Sequence, residues 1–402
     1  MSVLIFRVLL GIAAFGLVSS AVFLLLVLIA TACFKKSSGL YRSKVADAAN
    51  SELPAVTIFK PVHGMEARLE ENLESFFRQD YPDFEIIIGA RSADDPALIL
   101  AANLRQRYPQ VKSRIVTSGP PLWPNAKVYT LAQVIPLSHN EYFVTSDSDV
   151  RVGPDFLRNV IPPLLERKLG LVTCLYRGDS AGDFWSSLEA LGMSVEMPSG
   201  VVMADMMEGI RFALGPAVAF RRDTLDAIGG IASTADYYSD DYVLGNKIWA
   251  AGYKVIFSHC FVHHVLTPRP FARTLGDQLR WMKSTRHSRP WGHFGTGLTF
   301  AMPFGILGFI TGIALGQVSL GWALFAAAYL NRVIQCIAVG WGLLRDPRAL
   351  RLCWLYPIRD LQGFFVWVAS YLSHSFYWRG ELYRFTKDGR IVSQSRKSES
   401  PA

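Results

Sequence analysis

Two aspartates spaced one residue apart, Asp147 and Asp149, directly follow a short apolar run that begins at Tyr142. Such a run is typical of a buried parallel strand, and ligands of open α/β sheets bind beyond the carboxyl ends of these strands. In an extended backbone, residues i and i+2 point to the same side, so one cation can contact both carboxylates. Mg²⁺ and Mn²⁺ prefer oxygen ligands and often share them with a substrate diphosphate. The spacing therefore predicts a metal-diphosphate site.

The Asp-Ser-Asp pattern is also compatible with a plain turn or with a calcium loop. Asp and Ser are ordinary turn residues, and closely spaced acidic residues begin an EF-hand loop. The EF-hand requires glycine at its sixth position, and counted from Asp147 that position is Val152. This excludes an EF-hand, while a turn and a metal site remain open at this point.

Two further acidic loops favour the metal-diphosphate interpretation. Asp94 and Asp95 follow another predicted strand, and Asp240 and Asp241 open a predicted helix. Acidic groups at a helix N-terminus are also stabilised by the helix dipole, so the second pair has a purely structural role available as well.

Histidines and lysines supply the remaining candidates. His263 and His264 follow a predicted strand at 255–257 and could ligate a metal, although such a pair is more often plain polar surface; His263 is the weak metal candidate. The chain has no G-x-G-x-x-G and no G-x-x-x-x-G-K-[ST], which argues against a dehydrogenase-type dinucleotide fold and a P-loop ATPase. Any bound phosphates must therefore be held by metal, Lys127 or backbone.

The elements that position these residues alternate between strand and helix. Apolar runs and helical periodicity predict strands at 56–59, 84–89, 114–116 and 142–145, with helices at 66–78, 96–108 and 126–134. Beyond Asp149 the pattern predicts a helix at 156–168, strands at 171–175 and 213–220, and a short helix at 222–228. The β-α-β-α order predicts an α/β domain with a mostly parallel sheet covered by helices.

The composition is uneven along the 402 residues, of which 50% are hydrophobic and 18% charged. The apolar excess lies at the two ends, and the surplus of basic residues (formal charge +8) lies beside it. No basic stripe in the sequence interleaves with aromatic residues, so we expect no nucleic-acid binding. The five cysteines never form C-x-x-C, which argues against a disulfide framework or structural zinc and fits a reducing compartment.

The N-terminal apolar run, residues 3–34, is long enough for a membrane-spanning helix. A signal peptide has a much shorter apolar core, and a lipoprotein-type cleavage before Cys33 is the form that this alternative would take. Lys35 and Lys36 follow the run, so the positive-inside rule places the next domain in the cytoplasm.

The C-terminal part contains more apolar segments. Residues 298–316 and 320–344 predict a transmembrane hairpin. Residues 354–378 are apolar and aromatic, but Arg359 and Asp360 interrupt them, and charges within a span are costly. With basic residues on both sides, an interfacial or re-entrant segment is favoured over a further span.

Eight short stretches in order resemble the ceramide glucosyltransferase family, membrane-anchored GT-A glycosyltransferases with bacterial relatives that glycosylate hopanoid lipids. The stretches are Phe59-Lys60-Pro61-x-x-Gly64, Asn72 to Phe77, Asp80-Tyr81-Pro82, Asp94 to Ala97, Asn125-x-Lys127, Asp147-Ser148-Asp149, Asp240-Asp241-Tyr242 and Arg280-Trp281. The tail resembles the family in Ile358-Arg359-Asp360-Leu361 and Trp378-Arg379. Each motif alone is weak, and their ordered combination over residues 55–285 is strong.

The resemblance implies a GT-A nucleotide-diphospho-sugar transferase domain and a role for each matching residue. Asp95 would contact the uracil-ribose of the donor, and Asp147 and Asp149 would bind a metal-diphosphate with Mg²⁺ or Mn²⁺. Asp241 would be the general base for the acceptor hydroxyl, and Arg280 and Trp281 would brace donor phosphates and acceptor. The further substrate-binding candidates that the resemblance implies are Lys60, Lys127 and Asp240.

The chain departs from the family at two places. The first position of the (Q/R)-x-x-R-W motif is Asp277, with Gln278 one place later, and Met197-Pro198 stands where eukaryotic members carry His-Pro. These departures leave the identity of the acceptor open. The resemblance implies an inverting transfer of glucose or N-acetylglucosamine from a UDP-sugar to the hydroxyl of a membrane lipid, ceramide-like or hopanoid. The alternatives are a processive polysaccharide synthase, which would need more spans, and an inactive membrane-bound UDP-sugar-binding protein.

The sequence thus predicts six segments. They are a transmembrane helix (1–34), a linker (35–54), a cytoplasmic catalytic domain (55–292), a transmembrane hairpin (293–344), an interfacial, re-entrant or third C-terminal membrane segment (345–378) and a basic tail (379–402). The whole would be a multi-pass membrane protein that binds a UDP-sugar, a lipid acceptor and the bilayer.

Overall fold

A computed structural model describes residues 2–49, 53–378 and 380–394. The chain forms two compact units, each built from three separate stretches. The helical unit comprises Met1–Lys35, Gly182–Glu208 and Arg269–Phe376, and the sheet unit comprises Lys36–Ala181, Gly209–Pro268 and Tyr377–Ala402. Arg379, Arg396 and Lys397 of the predicted basic tail lie outside the described residues.

An eight-stranded sheet forms the centre of the sheet unit. Its strands are β1 (Val56–Pro61), β2 (Phe84–Ala90), β3 (Lys112–Thr117), β4 (Tyr142–Ser146), β5 (Val150–Arg151), β6 (Leu169–Asp179), β7 (Ala217–Arg221) and β8 (Lys254–Val265). Their order is β3-β2-β1-β4-β7-β6-β8-β5. The pairs β1/β2, β1/β4, β2/β3 and β6/β8 are parallel, and β4/β7, β6/β7 and β5/β8 are antiparallel.

The helices of this unit connect and cover the strands. They are α2 (Leu69–Phe77), α3 (Pro96–Arg107), α4 (Ala126–Val134), α5 (Phe156–Val160), α7 (Arg222–Asp226) and α8 (Asp240–Ala250). Apolar side chains of the central strands, such as Ile58 and Val144, are fully buried against helical residues such as Leu73 and Phe76. The predicted fold class, an α/β domain with a mostly parallel sheet covered by helices and with apolar membrane-type helices elsewhere in the chain, is confirmed.

The helical unit is built from long and short helices. Their bounds are α1 (Ser2–Ala49, which continues into the sheet unit), α6 (Phe184–Glu208), α9 (Phe271–Ser288), α10 (Pro290–Thr296), α11 (Met302–Ala314), α12 (Val318–Gln335), α13 (Pro347–Arg351) and α14 (Tyr356–Ser370). Three short strands follow α14: β9 (Ser375–Trp378), β10 (Glu381–Phe385) and β11 (Ile391–Ser393).

Two helical stretches of the described residues, Val3–Ser38 and Val318–Trp341, are long and apolar enough to cross a membrane. The first carries an apolar surface: Phe15 and Val18 are each 64% exposed. Large apolar side chains without a protein partner are unusual on the surface of a protein in water. This surface therefore associates the chain with a membrane.

Buried charges hold the ends of several apolar helices together. Asp360 of α14 accepts hydrogen bonds from the backbone N–H groups of Ala301 and Met302, at the start of α11. It also pairs with Arg332 of α12 (Nη1 to Oδ1, 3.1 Å), whose guanidinium donates to Ser20 Oγ of α1 at 2.9 Å. A buried charge is tolerated when it is paired and hydrogen-bonded, and this explains the charges inside the apolar C-terminal segment.

Several elements differ from the sequence prediction. The helix expected at 156–168 is interrupted because Pro162 cannot continue it, leaving α5 and a short 3₁₀ turn at Pro162–Leu165. The strand expected at 255–257 extends through both histidines as β8. No element was predicted where α6 lies, and residues 35–49 of the predicted linker are helical.

Candidate functional site

The loop that follows β4 is held by its neighbours on both sides. The antiparallel pairing of Ser146 with Ala217 brings the start of β7 beside it, and the backbone N–H of Asp147 donates to the carbonyl of Pro216 at 3.3 Å. Lys60, at the end of β1, donates from Nζ to the carbonyl of Asp147 at 2.5 Å. The loop backbone is thus fixed while its carboxylates remain available.

Lys60 is almost completely buried, with its ammonium 4.0 Å from the centre of the Phe76 ring. Burial lowers the pKa of Lys60 to about 7, against the opposing attraction of Asp147 and Asp149. Lys60 also donates to Ser146 Oγ at 3.3 Å, so its two hydrogen bonds hold the end of β4 and the loop that follows it.

Lys127 joins the loop after β4 to the start of α8. Its Nζ lies 2.8 Å from Asp147 Oδ1 and 3.2 Å from Asp240 Oδ2. Burial lowers the pKa of Lys127, but the attraction of Asp147, Asp240 and Asp241 outweighs burial and raises it overall. Asn125 caps α4 and donates from Nδ2 to Asp240 Oδ1 at 3.1 Å, which fixes the same carboxylate from a second side.

Asp241 lies in the first turn of α8, and its carboxylate and that of Asp147 both lie next to Gly215. A Cβ placed on Gly215 would lie 3.0 Å from Asp241 Oδ2 and 3.6 Å from Asp147 Oδ2. Burial and the neighbouring charge of Asp240 raise the pKa of Asp241 to about 7, while Lys127 opposes this. A carboxylate with a pKa near neutrality suits general-base catalysis.

Asp149 lies in the loop after β4, close to β8. Its Oδ2 is 3.3 Å from Nε2 of His264, and its buried Oδ1 has no hydrogen-bond partner among the described residues. Val150 and His264 are paired across β5 and β8, and the next pair is Arg151 with His263. Because successive strand residues point to opposite faces, only His264 faces Asp149.

His263, the weak metal candidate, has other neighbours. Its Nε2 lies 3.0 Å from Nη2 of Arg177, and its Nδ1 lies 3.8 Å from Oδ2 of Asp179. The structure thus brings His264, rather than His263, to the acidic loop.

Asp95 is a helix cap. Its carboxylate accepts from the backbone N–H of Ala97, in the first turn of α3, and from Gly64 N–H at 3.0 Å. Gly64 adopts the left-handed backbone conformation (φ +68°) that favours glycine. Asp95 therefore ties the loop after β1 to the loop after β2, and the nearest side chain in an ion pair is His63 at 3.4 Å.

Comparison with known proteins identifies the family. The family model described as Glycosyl transferase family 21 matches residues 21–391. The chain belongs to glycosyl transferase family 21. The resemblance predicted from the sequence is confirmed, and the protein is a glycosyltransferase.

The names of two relatives of this family 21 chain refer to lipids. Ceramide glucosyltransferase 3 of Caenorhabditis elegans is 24% identical over 85% of this chain and 75% of its own length. Beta-monoglucosyldiacylglycerol synthase of a Nostoc species is 26% identical over 44% of this chain and 38% of its own. Among solved structures, the chain is similar to a Pyrobaculum calidifontis mannosyltransferase in complex with GDP-Man and Mn²⁺, with a TM-score of 0.46 and 18% identity over 85% of this chain and 99% of that one.

The (Q/R)-x-x-R-W region of this family 21 protein lies on α9, in the helical unit. Asp277, at the position where the resemblance expects Gln or Arg, bridges two arginines: its Oδ1 lies 2.9 Å from Arg280 Nη1 and its Oδ2 lies 2.5 Å from Arg269 Nη1. Gln278 is buried and accepts hydrogen bonds from Arg359 Nη1 at 2.5 Å and from Gln362 Nε2 at 3.0 Å. The acidic residue therefore orients Arg280.

The sheet unit thus brings together Asp147, Asp149, Lys127, Asp240 and Asp241, all of which were candidates from the sequence. Arg280 and Trp281 lie on α9 of the other unit. Sequence reasoning did not single out Gly215, and it chose His263 rather than His264 as the weak metal candidate because the extent of β8 was underestimated. The strand alternation around His264 was the signal that could have indicated it.

Proposed function

We propose that this protein transfers a hexose, glucose or N-acetylglucosamine, from a UDP-sugar to the hydroxyl of a membrane lipid, with inversion. The observation that carries the proposal is that the carboxylates of Asp241 and Asp147 both lie next to Gly215. One carboxylate can take a proton from an incoming hydroxyl while the other lies where a donor diphosphate would bind. The names of two relatives, ceramide glucosyltransferase 3 and beta-monoglucosyldiacylglycerol synthase, support a lipid acceptor.

In this mechanism Asp241 is the general base. Its raised pKa means that the carboxylate holds a proton more strongly than an ordinary aspartate, so proton transfer from the acceptor hydroxyl is less uphill. Asp240, fixed by Lys127 and Asn125, stays next to it and maintains that basicity. The proton moves from the acceptor hydroxyl to Asp241 as the hydroxyl oxygen attacks the anomeric carbon of the sugar. The bond between that carbon and the diphosphate oxygen breaks in the same step, and UDP leaves with the electron pair.

The residues around Asp149 fit a divalent cation, Mg²⁺ or Mn²⁺. The unpartnered Oδ1 of Asp149 is a buried oxygen ready for a ligand, and Asp147 supplies a second carboxylate. No group of three or more His, Cys, Asp or Glu among the residues described here could hold an ion alone. Mg²⁺ commonly binds through one or two carboxylates plus substrate phosphates, so we infer that the donor diphosphate completes the site. A bound cation would neutralise charge on the leaving diphosphate.

The remaining candidates position the donor. Lys127 would lie beside the diphosphate as it does beside Asp147, and Lys60 would hold the loop from below. Asp95, which closes the loop near Gly64, would shape the uracil-ribose pocket. Arg280, oriented by Asp277, would contact phosphate because a guanidinium suits planar anion recognition, and the Trp281 indole would pack against sugar or lipid.

The membrane arrangement is part of the proposal. The apolar parts of α1 and α12 would span the bilayer, and Lys35 and Lys36 would place the sheet unit in the cytoplasm. The 15-residue α14 is about 22 Å long, shorter than the roughly 30 Å hydrocarbon core. Its buried charges face protein, while Phe365 is 61% exposed and Leu372, just beyond its end, is 82% exposed. An interfacial position suits such a helix.

The test is a transfer assay with matched variants. Purified protein is incubated with Mn²⁺ or Mg²⁺, labelled UDP-sugars and a panel of ceramide, diacylglycerol and hopanoid acceptors. We expect glycolipid product that depends on the cation, and Asp241→Asn should lower kcat by roughly 10²–10⁴-fold while UDP binding persists. Asp226→Asn, an exposed aspartate on α7, is the control. No turnover together with no UDP-dependent thermal shift would refute the transferase.

The same assay separates the alternatives. A polysaccharide synthase would give products that grow by many sugar units, whereas the proposed enzyme adds one. An inactive binding protein would show the thermal shift with UDP but no product with any acceptor.

A further inference from the structure

Helix α6 presents a half-buried methionine face in the helical unit. Five of the chain's nine methionines lie in this one helix. Four of them, Met193, Met197, Met203 and Met207, recur at spacings of four or six residues on one side, and Gly200 lies between them. At 3.6 residues per turn these positions form a stripe along the helix. We call this stripe the methionine face.

The opposite side of α6 is the packed side. Leu188, Leu191, Val195 and Val202 are buried there. On the methionine face Met193, Met197 and Met203 are only partly buried, and Met207 is 65% exposed. The methionines therefore do not form the core of the unit.

Gly200 leaves a gap in this face. A Cβ added at Gly200 would meet no described atom within 4 Å. A side chain at this position would therefore project into open space over the middle of the stripe, between Met197 and Met203.

A carboxylate lies on the same face, near its N-terminal end. Glu196 is partly exposed (34% of its side chain), and both of its oxygens pair with Arg359: Oε1 with Nε at 2.8 Å and Oε2 with Nη2 at 3.0 Å. Arg359 continues to Gln278 on α9, two residues before Arg280. One end of the face is thus polar and connected to the turn of α9 that carries the predicted phosphate-bracing arginine.

This combination differs from a surface that faces bulk lipid. The lipid-type surface of α1 is built from exposed Val, Leu, Ile and Phe, whereas a carboxylate facing bulk hydrocarbon is costly. Methionine is flexible and polarizable and adapts to irregular apolar ligands. A ligand with an apolar chain and a hydroxyl-bearing head complements both parts of the face.

We propose that the methionine face binds the hydrocarbon chain of the lipid acceptor, with the hydroxyl-bearing head at the Glu196–Arg359 end. This inference rests on the proposed function and adds to it the surface that holds the acceptor. The stretch from Met193 to Met207 spans about 21 Å along the helix axis, enough for a long chain and more than a short-chain acceptor would use. The face would therefore discriminate acceptors by chain length.

The first experiment fills the gap. Gly200→Leu places a side chain in open space, so it should fold, and it should raise KM for a long-chain ceramide about tenfold, the effect of displacing two methylene groups from the face. The kcat/KM for a short-chain ceramide should stay unchanged, and Gly200→Ala should give a smaller change than leucine. Gly11→Leu on α1, where a Cβ also meets nothing within 4 Å, is the matched control without an effect. An equal loss with both acceptors, or no loss with the long one, would overturn the proposal.

The second experiment does not need turnover. Full-length protein is photolabelled without donor by a ceramide that carries a diazirine in its acyl chain, and labelled peptides are mapped. We expect labelling of residues 193–207 that excess unlabelled ceramide removes and phosphatidylcholine of equal chain length does not. Labelling that phosphatidylcholine removes equally would show a bulk-lipid surface and refute the acceptor face. If labelling succeeds while no sugar is transferred, the proposed function fails and the binding surface stands.

Discussion

Replacing Lys127 by methionine tests the acidic site most directly. The substitution keeps a similar side-chain stem and removes the one charge that lies between Asp147, at 2.8 Å, and Asp240, at 3.2 Å. Asp147, Asp240 and the nearby Asp241 would then lose the ammonium group that is paired with the first two.

The stability effect can be worked out from these contacts. Removing one partner of a buried ion pair costs about 3–5 kcal/mol. The Asp147 side chain is 32% exposed, so water compensates part of the loss, and we expect the lower end, about 3 kcal/mol. At roughly 2–4 °C per kcal/mol for a unit of this size, Tm should fall by about 6–12 °C.

The effect on catalysis has a definite sign. Lys127 lowers the pKa of Asp241, which otherwise stands near 7 because of burial and Asp240. Without Lys127 that pKa rises, by about one unit for loss of a neighbouring opposite charge. A base acts when deprotonated, so the acidic limb of kcat/KM should move to higher pH by about one unit.

The assay is kcat/KM measured from acidic to basic pH for wild type, Lys127→Met and Lys127→Arg. The arginine variant keeps the charge and should keep the limb near its original pH. Lys112→Met, which removes a lysine that is 73% exposed, is the control for loss of charge elsewhere. If the limb stays in place in Lys127→Met, or moves equally in Lys127→Arg, then Asp241 is not the group that titrates.

Three other substitutions test particular side-chain contacts. Gly215→Ala puts a methyl group 3.0 Å from Asp241 Oδ2, so kcat should fall roughly tenfold or more because small displacements of reacting groups are costly, with Tm as the check on folding. Asp277→Asn removes the charge that orients Arg280, so KM for the UDP-sugar should change. Asp277→Glu keeps the charge and should keep the wild-type KM. Equal KM values in both variants would contradict the positioning role. Asp360→Asn weakens the ion pair with Arg332 and the hydrogen bonds to two backbone N–H groups. We therefore expect the free energy of unfolding of the helical unit to fall by about 3–5 kcal/mol. The measurement is Tm in detergent, and the exposed Asp388→Asn is the control.

Much of the sheet unit was predictable because its strands are short apolar runs followed by polar loops. The runs at Val56 and Tyr142 became β1 and β4, and both are centrally placed in the sheet. Asp147 and Asp149, which follow β4, were identified for the same reason. Hydrophobic period and turn chemistry act locally, so they can be read from local sequence.

The features that were missed depend on contacts distant in sequence. Gly215 matters only because β7 runs antiparallel beside β4, and His264 only because β8 extends to pair with β5. Helix α6 contains Pro198 and two glycines, which are unfavourable in helices by local propensity, and tertiary packing overrides them.

The Ser20–Arg332–Asp360 contact has a consequence for biosynthesis. Arg332 lies 312 residues after Ser20 and 28 residues before Asp360. In the proposed topology, α12 leaves the ribosome with its arginine before the neutralising aspartate has been made. An unpaired arginine within a span disfavours membrane insertion by about 2.5–3.5 kcal/mol, so the nascent helix would remain weakly inserted until α14 is synthesised. Chains truncated between these two residues should therefore be degraded faster than chains truncated just after α14.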